Sequence, residues 1–72
     1  MEKKYIVFAD ETSIVFDRTS IHSLMARGRK VLSAGFCSRE GVFVKAWGES
    51  TTLCVKSRGA KDAEIIYDQM TT

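Results

Sequence analysis

Two apolar runs near the start of the chain, Tyr5-Ile6-Val7-Phe8-Ala9 and Ser13-Ile14-Val15-Phe16, are separated only by Asp10-Glu11-Thr12. This arrangement limits the fold more than any other feature. Segments rich in Ile, Val and Phe on either side of a short polar stretch predict a β-hairpin. With an even number of loop residues, Tyr5, Val7, Ala9, Ile14 and Phe16 share one face, and Ile6, Phe8 and Val15 share the other. Both faces are then apolar, so the hairpin must be covered on both sides or lie deep in a sheet. The turn holds no glycine, which argues for a longer loop over a tight primed turn.

A chain of 72 residues has little material with which to cover such a hairpin. At this size only about 60% of the unfolded surface is buried on folding, so one core, and hence one domain spanning 1–72, is expected. The composition, 44% hydrophobic and 28% charged, excludes the signature of disorder. No apolar run approaches the roughly 20 residues of a membrane span, and the N-terminal run is shorter than the roughly 7–15 residues at the centre of a signal peptide. Cys37 and Cys54 do not make a disulfide framework, so free thiols and a cytoplasmic location are expected.

Further along, Thr19 or Ser20 is a candidate N-cap, and Ile21, Leu24 and Met25 follow at helical spacing. The spacing predicts a helix from Ser20 to about Arg27 closed by Gly28, although Val31 and Leu32 would also allow it to continue to about Ala34. Phe36-Cys37-Ser38, Val42 to Trp47 and Thr51 to Ser57 read as strands, broken at Arg39-Glu40-Gly41 and Gly48-Glu49-Ser50. With Gly48-Glu49 as a two-residue turn, Val42, Val44 and Ala46 share a core face with Thr51, Leu53 and Val55. The opposite face then carries Phe43, Lys45, Trp47, Ser50, Thr52, Cys54 and Lys56. A last helix is capped by Ser57 or Gly59 and buries Ala63, Ile66, Tyr67 and Met70. The expected class is α+β, a small antiparallel sheet of four to five strands with two helices on one face, in the order β-β-α-(β)-β-β-α.

Charge is unevenly distributed. Residues 1–17 hold two basic and four acidic side chains, residues 18–61 nine and two, and residues 62–72 none and three, so a net charge of +2 conceals a basic middle. Lys and Arg supply the sequence-independent part of nucleic-acid affinity, and exposed aromatics stack on bases. Aromatic and Arg enrichment equally suits a protein interface. The candidate partner or nucleic-acid surface comprises Phe43, Lys45, Trp47, Lys56, Arg58 and Arg39.

Signals for catalysis are weaker. His22 with Cys37 or Cys54 is the one thiol-imidazole combination, without supporting spacing, and His22 is expected on the polar side of the first helix. No CxxC or HxxxH pair suggests zinc. Gly48-Glu49-Ser50-Thr51-Thr52 lacks the spacing of a phosphate-binding loop and of a nucleophile elbow. The reading is therefore a small non-enzymatic protein-interaction or self-associating module, without cofactor, metal, membrane association or small-molecule substrate. The alternative is a nucleic-acid-binding accessory domain that uses residues 18–61.

Overall fold

A computed structural model describes residues 2–71. The chain forms an α+β fold with strands β1 (Lys3–Phe8) and β2 (Ser13–Phe16), helix α1 (His22–Ala26), strands β3 (Val31–Glu40), β4 (Phe43–Trp47), β5 (Glu49–Ser50) and β6 (Val55–Lys56), and helix α2 (Ala60–Thr71). The main sheet is antiparallel in the order β2-β1-β3-β4, and β5 and β6 make a separate two-stranded ribbon.

The first hairpin is covered on both faces, as its composition requires, but with the opposite pairing of faces. Tyr5 lies opposite Val15, Ile6 opposite Ile14 and Val7 opposite Ser13. Residues 8–12, an odd number, separate the last pair. Directly opposed residues share a face, so Tyr5, Val7 and Val15 point one way, and Ile6, Phe8, Ile14 and Phe16 point the other. The longer loop is present: Asp10 Oδ1 accepts hydrogen bonds from the backbone and hydroxyl of Thr12 at 3.0 and 2.6 Å, and Glu11 takes a left-handed φ of 66°.

Helix α1 is shorter than its periodicity suggests. Ile21 occupies the N-cap without a side-chain cap, and Arg27 (φ 52°) and Gly28 (φ 76°) are both left-handed, which ends the helix. Val31 and Leu32 therefore belong to β3, where pairing with β1 competes successfully with extension of the helix. The buried pair in α1 is His22 and Ala26, whereas Ile21 and Leu24 are exposed. The helix is rotated by about one residue from the expected stripe.

Strand β3 is the longest element and far exceeds the expected Phe36–Ser38. It closes onto β4 by pairing Glu40 with Phe43, so Gly41 (φ 59°) and Val42 form the turn. Glycine at the first central position is the pattern of a type II′ turn. The expected hairpin between β4 and residues 51–57 does not form. Gly48 (φ 79°) turns the chain away, and Thr51–Cys54 is itself a turn between β5 and β6. Ser50, fully buried, accepts a hydrogen bond from the Leu53 backbone and braces that turn.

The two helices lie on opposite sides of the sheet, not on one. Ile6, Phe8, Phe16 and Ala34 pack with Ala26 of α1, and Leu53 and Val55 close this layer. Tyr5, Val7 and Cys37 pack with Ile66 of α2, flanked by Val15, Val44, Ala46 and Ile65. A sheet with two apolar faces requires this division. Consequently Val44 and Ala46 do not share a face with Leu53 and Val55, and Val42 is exposed. On α2 the buried positions are Asp62 and Ile66; Ala63 and Tyr67 are half-buried and Met70 is exposed. Among the described residues no helix is long and apolar enough to cross a membrane.

Candidate functional site

Strand β4 forms one edge of the sheet. Its even positions, Val44 and Ala46, pack toward α2, which turns Phe43, Lys45 and Trp47 to the opposite face. Neither α1 nor the β5–β6 ribbon covers that face fully: Phe43 is 71% exposed and Trp47 39%. Val42, at the adjoining turn, is exposed as well.

Trp47 is held from beneath. It pairs with Phe36 on β3, and the two rings stack with centroids 6.5 Å apart and an interplanar angle of 26°. Phe36 in turn meets the His22 ring edge-on at 6.2 Å, and His22 meets Phe16 at 5.5 Å. Phe16, His22, Phe36 and Trp47 thus form a continuous row of rings from β2 to β4, and such pairs favour edge-to-face and offset geometries. Gly48 makes room for it, since a Cβ there would lie 2.9 Å from the Phe36 ring.

His22 departs from its expected place on a polar helix face. It is 4% exposed, and its Nε2 lies 3.0 Å from the Gly35 carbonyl oxygen. Burial depresses its pKa and nearby Lys4 adds to this, against the opposing effect of the Gly35 and Tyr5 carbonyls. A neutral imidazole donating to Gly35 suits this aromatic layer. Cys37 is buried on the α2 face, so the sheet separates its thiol from His22. Burial raises the Cys37 pKa to about 11, which disfavours the nucleophilic thiolate. Cys54 is exposed at the ribbon turn, and both cysteines are free.

The six expected surface residues divide evenly. Phe43, Lys45 and Trp47 converge. Lys56 is exposed on β6 opposite Glu49. Arg39 lies on the α2 face of β3, its Nε donating to the Gly41 carbonyl and its Nη1 3.8 Å from Met70 Sδ. Arg58 is largely inside: its Nε is 2.8 Å from Asp62 Oδ1, and its side chain is 28% exposed. The basic middle of the sequence is therefore spread over several faces.

Arg58 belongs to a network centred on Asp62, whose carboxylate is fully buried. The Tyr5 hydroxyl, the Ser33 hydroxyl, and the backbone N–H and Nε of Arg58 all donate to it, at 2.5–2.8 Å. Burial pushes the Asp62 pKa up, but these hydrogen bonds together outweigh it and hold the carboxyl below its ordinary range. The same burial, with the adjacent carboxylate, drives the Tyr5 hydroxyl far above its usual pKa. Ser57 Oγ, 2.6 Å from the Tyr5 hydroxyl, accepts the Gly59 N–H and so ties this network to the start of α2.

Exposed Glu40 and Val42 also border this face, with half-buried Phe36 beneath it, and none of the three was expected there. The alternation Phe36-Cys37-Ser38-Arg39-Glu40 contains the signal, because it places Phe36, Ser38 and Glu40 on one face once Cys37 is known to be inside. No protein-family model, curated protein or solved structure matches the chain.

Proposed function

We propose that this chain is a non-enzymatic protein-interaction module that binds an extended polypeptide strand along β4. The observation that carries the reading is the combination of an edge strand with an exposed Phe43, Lys45 and Trp47 face. An edge strand presents backbone groups to a further strand, while alternate side chains supply specificity. Aromatic residues flanked by polar ones are the usual composition of an interface core. The Phe36–Trp47 stack preorganises one of the two anchors, which lowers the cost of ordering it on binding. Two free thiols suit a reducing compartment such as the cytoplasm.

The alternative, a nucleic-acid surface, draws on the same aromatics but needs neighbouring cations, and Arg39 and Arg58 are engaged elsewhere. The strand reading is tested by selecting peptides from a random display library on the immobilised chain. Enriched peptides are expected to be extended, to bind at least about tenfold more weakly to Phe43→Asp, and to protect the β4 amides from hydrogen exchange. Recovery of no β4-binding peptide from the library would overturn it.

A further inference from the structure

Resting on that reading, we infer that the strand which occupies β4 is β4 of a second copy, paired antiparallel about a two-fold axis at Val44. The argument is one of register. A two-fold axis perpendicular to the sheet preserves its faces, so each β4 residue must meet one of the same parity. Three symmetric alignments set three or more residues of β4 (Phe43–Trp47) against β4 of the second copy, those centred on Val44, Lys45 or Ala46.

Centring on Lys45 sets Lys45 directly against Lys45 of the second copy, and like charges in that position are destabilising. Centring on Ala46 sets Lys45 against Trp47 of the second copy, in the row of Phe36 and away from Glu40. Centring on Val44 avoids both faults. It sets Phe43 against Lys45 of the second copy, twice by symmetry, with Val44 against Val44 and Val42 against Ala46.

The charges favour this alignment. Glu40 lies beside Phe43 on β3, so the row across the joined sheets would read Glu40, Phe43, then Lys45 and Ser38 of the second copy. Strands are about 4.8 Å apart, and a lysine stem lying over the Phe43 ring directs its ammonium toward the Glu40 carboxylate while making a cation–π contact on the way. Within one copy Glu40 and Lys45 are both exposed and form none of the ion pairs of the described residues. Trp47 of the second copy falls opposite Gly41, where even an added Cβ would meet nothing within 4 Å, so the indole has space. Val42, exposed in the single copy, is covered.

The test combines mass with register. Sedimentation equilibrium of the wild-type chain is expected to show a concentration-dependent rise from 8.1 kDa to twice that mass. Lys45→Glu, which also loses the cation–π pair, and Glu40→Lys are each expected to weaken the dimer by about tenfold through like-charge contact. The double swap restores opposite charges and is expected to dimerise more tightly than either single variant. In a Cys54→Ser background, mild oxidation should cross-link Val44→Cys to a covalent dimer and leave Lys45→Cys monomeric. A chain that stays monomeric at millimolar concentration overturns the inference, and so does a dimer in which Lys45→Cys cross-links and Val44→Cys does not. A monomer that still captures selected peptides on β4 defeats the second-copy assignment alone, whereas loss of peptide binding as well defeats the strand-binding reading.

Discussion

The Tyr5 hydroxyl lies 2.5 Å from Oδ2 of Asp62 and joins the central strand layer to the first turn of α2. Phenol and carboxylate are both buried, and Arg58 supplies the compensating positive charge at 2.8 Å. Removal of the carboxylate leaves the guanidinium partly buried without its partner. Asp62→Ala is therefore expected to cost about 3–5 kcal/mol, a large fraction of the roughly 4–10 kcal/mol available to a chain of this size. Tyr5→Phe, which removes one hydrogen bond to a charged acceptor, should cost about 1.5–3 kcal/mol. Urea denaturation at neutral pH reads both, and a loss below about 1 kcal/mol for Asp62→Ala would show that the network contributes little.

His22 gives the stability a pH dependence of definite sign. Its pKa in the folded chain is depressed below the ordinary 6.5, so the unfolded chain takes up a proton before the folded one does. Stability is complete above about pH 6.5, falls as the pH drops below that value, and stops falling on this account once the folded-state imidazole protonates. Asp62 acts in a separate window: its depressed pKa stabilises the fold above the ordinary carboxyl value and is lost as the pH falls through the folded-state value. Urea midpoints between pH 5 and 7.5 check the first effect, and His22→Leu should flatten the profile there. An unchanged slope in that variant would assign the effect to another group.

Gly35 is required for a steric reason. A Cβ at this position would lie 2.4 Å from the Trp47 carbonyl oxygen and 3.2 Å from Ser57 Cβ, and the first of these is backbone that cannot move without shifting β4. Gly35→Ala is expected to destabilise the chain by about 3 kcal/mol, the upper part of the range for overpacking, and to disturb Trp47. Thermal unfolding together with tryptophan fluorescence measures both; a variant with wild-type stability and an unchanged emission maximum would contradict the close approach.

The two thiols should react at very different rates. Cys54 is exposed and is expected to react rapidly with Ellman's reagent, whereas Cys37 is buried, with a pKa raised to about 11. At pH 8 one equivalent should react rapidly and the second only as the chain opens, with the slow phase lost in denaturant. Two equally rapid equivalents in the native chain would place Cys37 at the surface.

The α+β class, the two-sided hairpin and the C-terminal helix were legible in the residues because each depends on local pattern. The closure of α1 by Gly28 was legible for the same reason. What escaped is decided by long-range pairing. Val31 and Leu32 continue a helical stripe, yet their place beside β1 makes them strand; Gly48 resembles a hairpin turn, yet β4 pairs with β3. Of the candidate site, Phe43, Lys45 and Trp47 could be grouped because alternation alone places them together. Arg58 could not be set apart from them, since its removal to the interior depends on Asp62, a residue whose position in the first turn of a helix ordinarily signals solvent exposure and a favourable dipole.

The loop between β1 and β2 has one last consequence, and it concerns heritable length variation. Residues 8–12 close the pair Val7 and Ser13, and hairpin loops of four or five residues both close such a pair. One codon gained or lost there is therefore absorbed by the loop, because a slip of register instead would turn Phe16 and Ile14 toward α2 and Val15 and Ser13 toward α1. The same change within Ser13–Phe16 would reverse the faces of the residues beyond it. Length polymorphism should therefore stop sharply at Ser13, a boundary that a set of related genomes would reveal without any biochemical measurement.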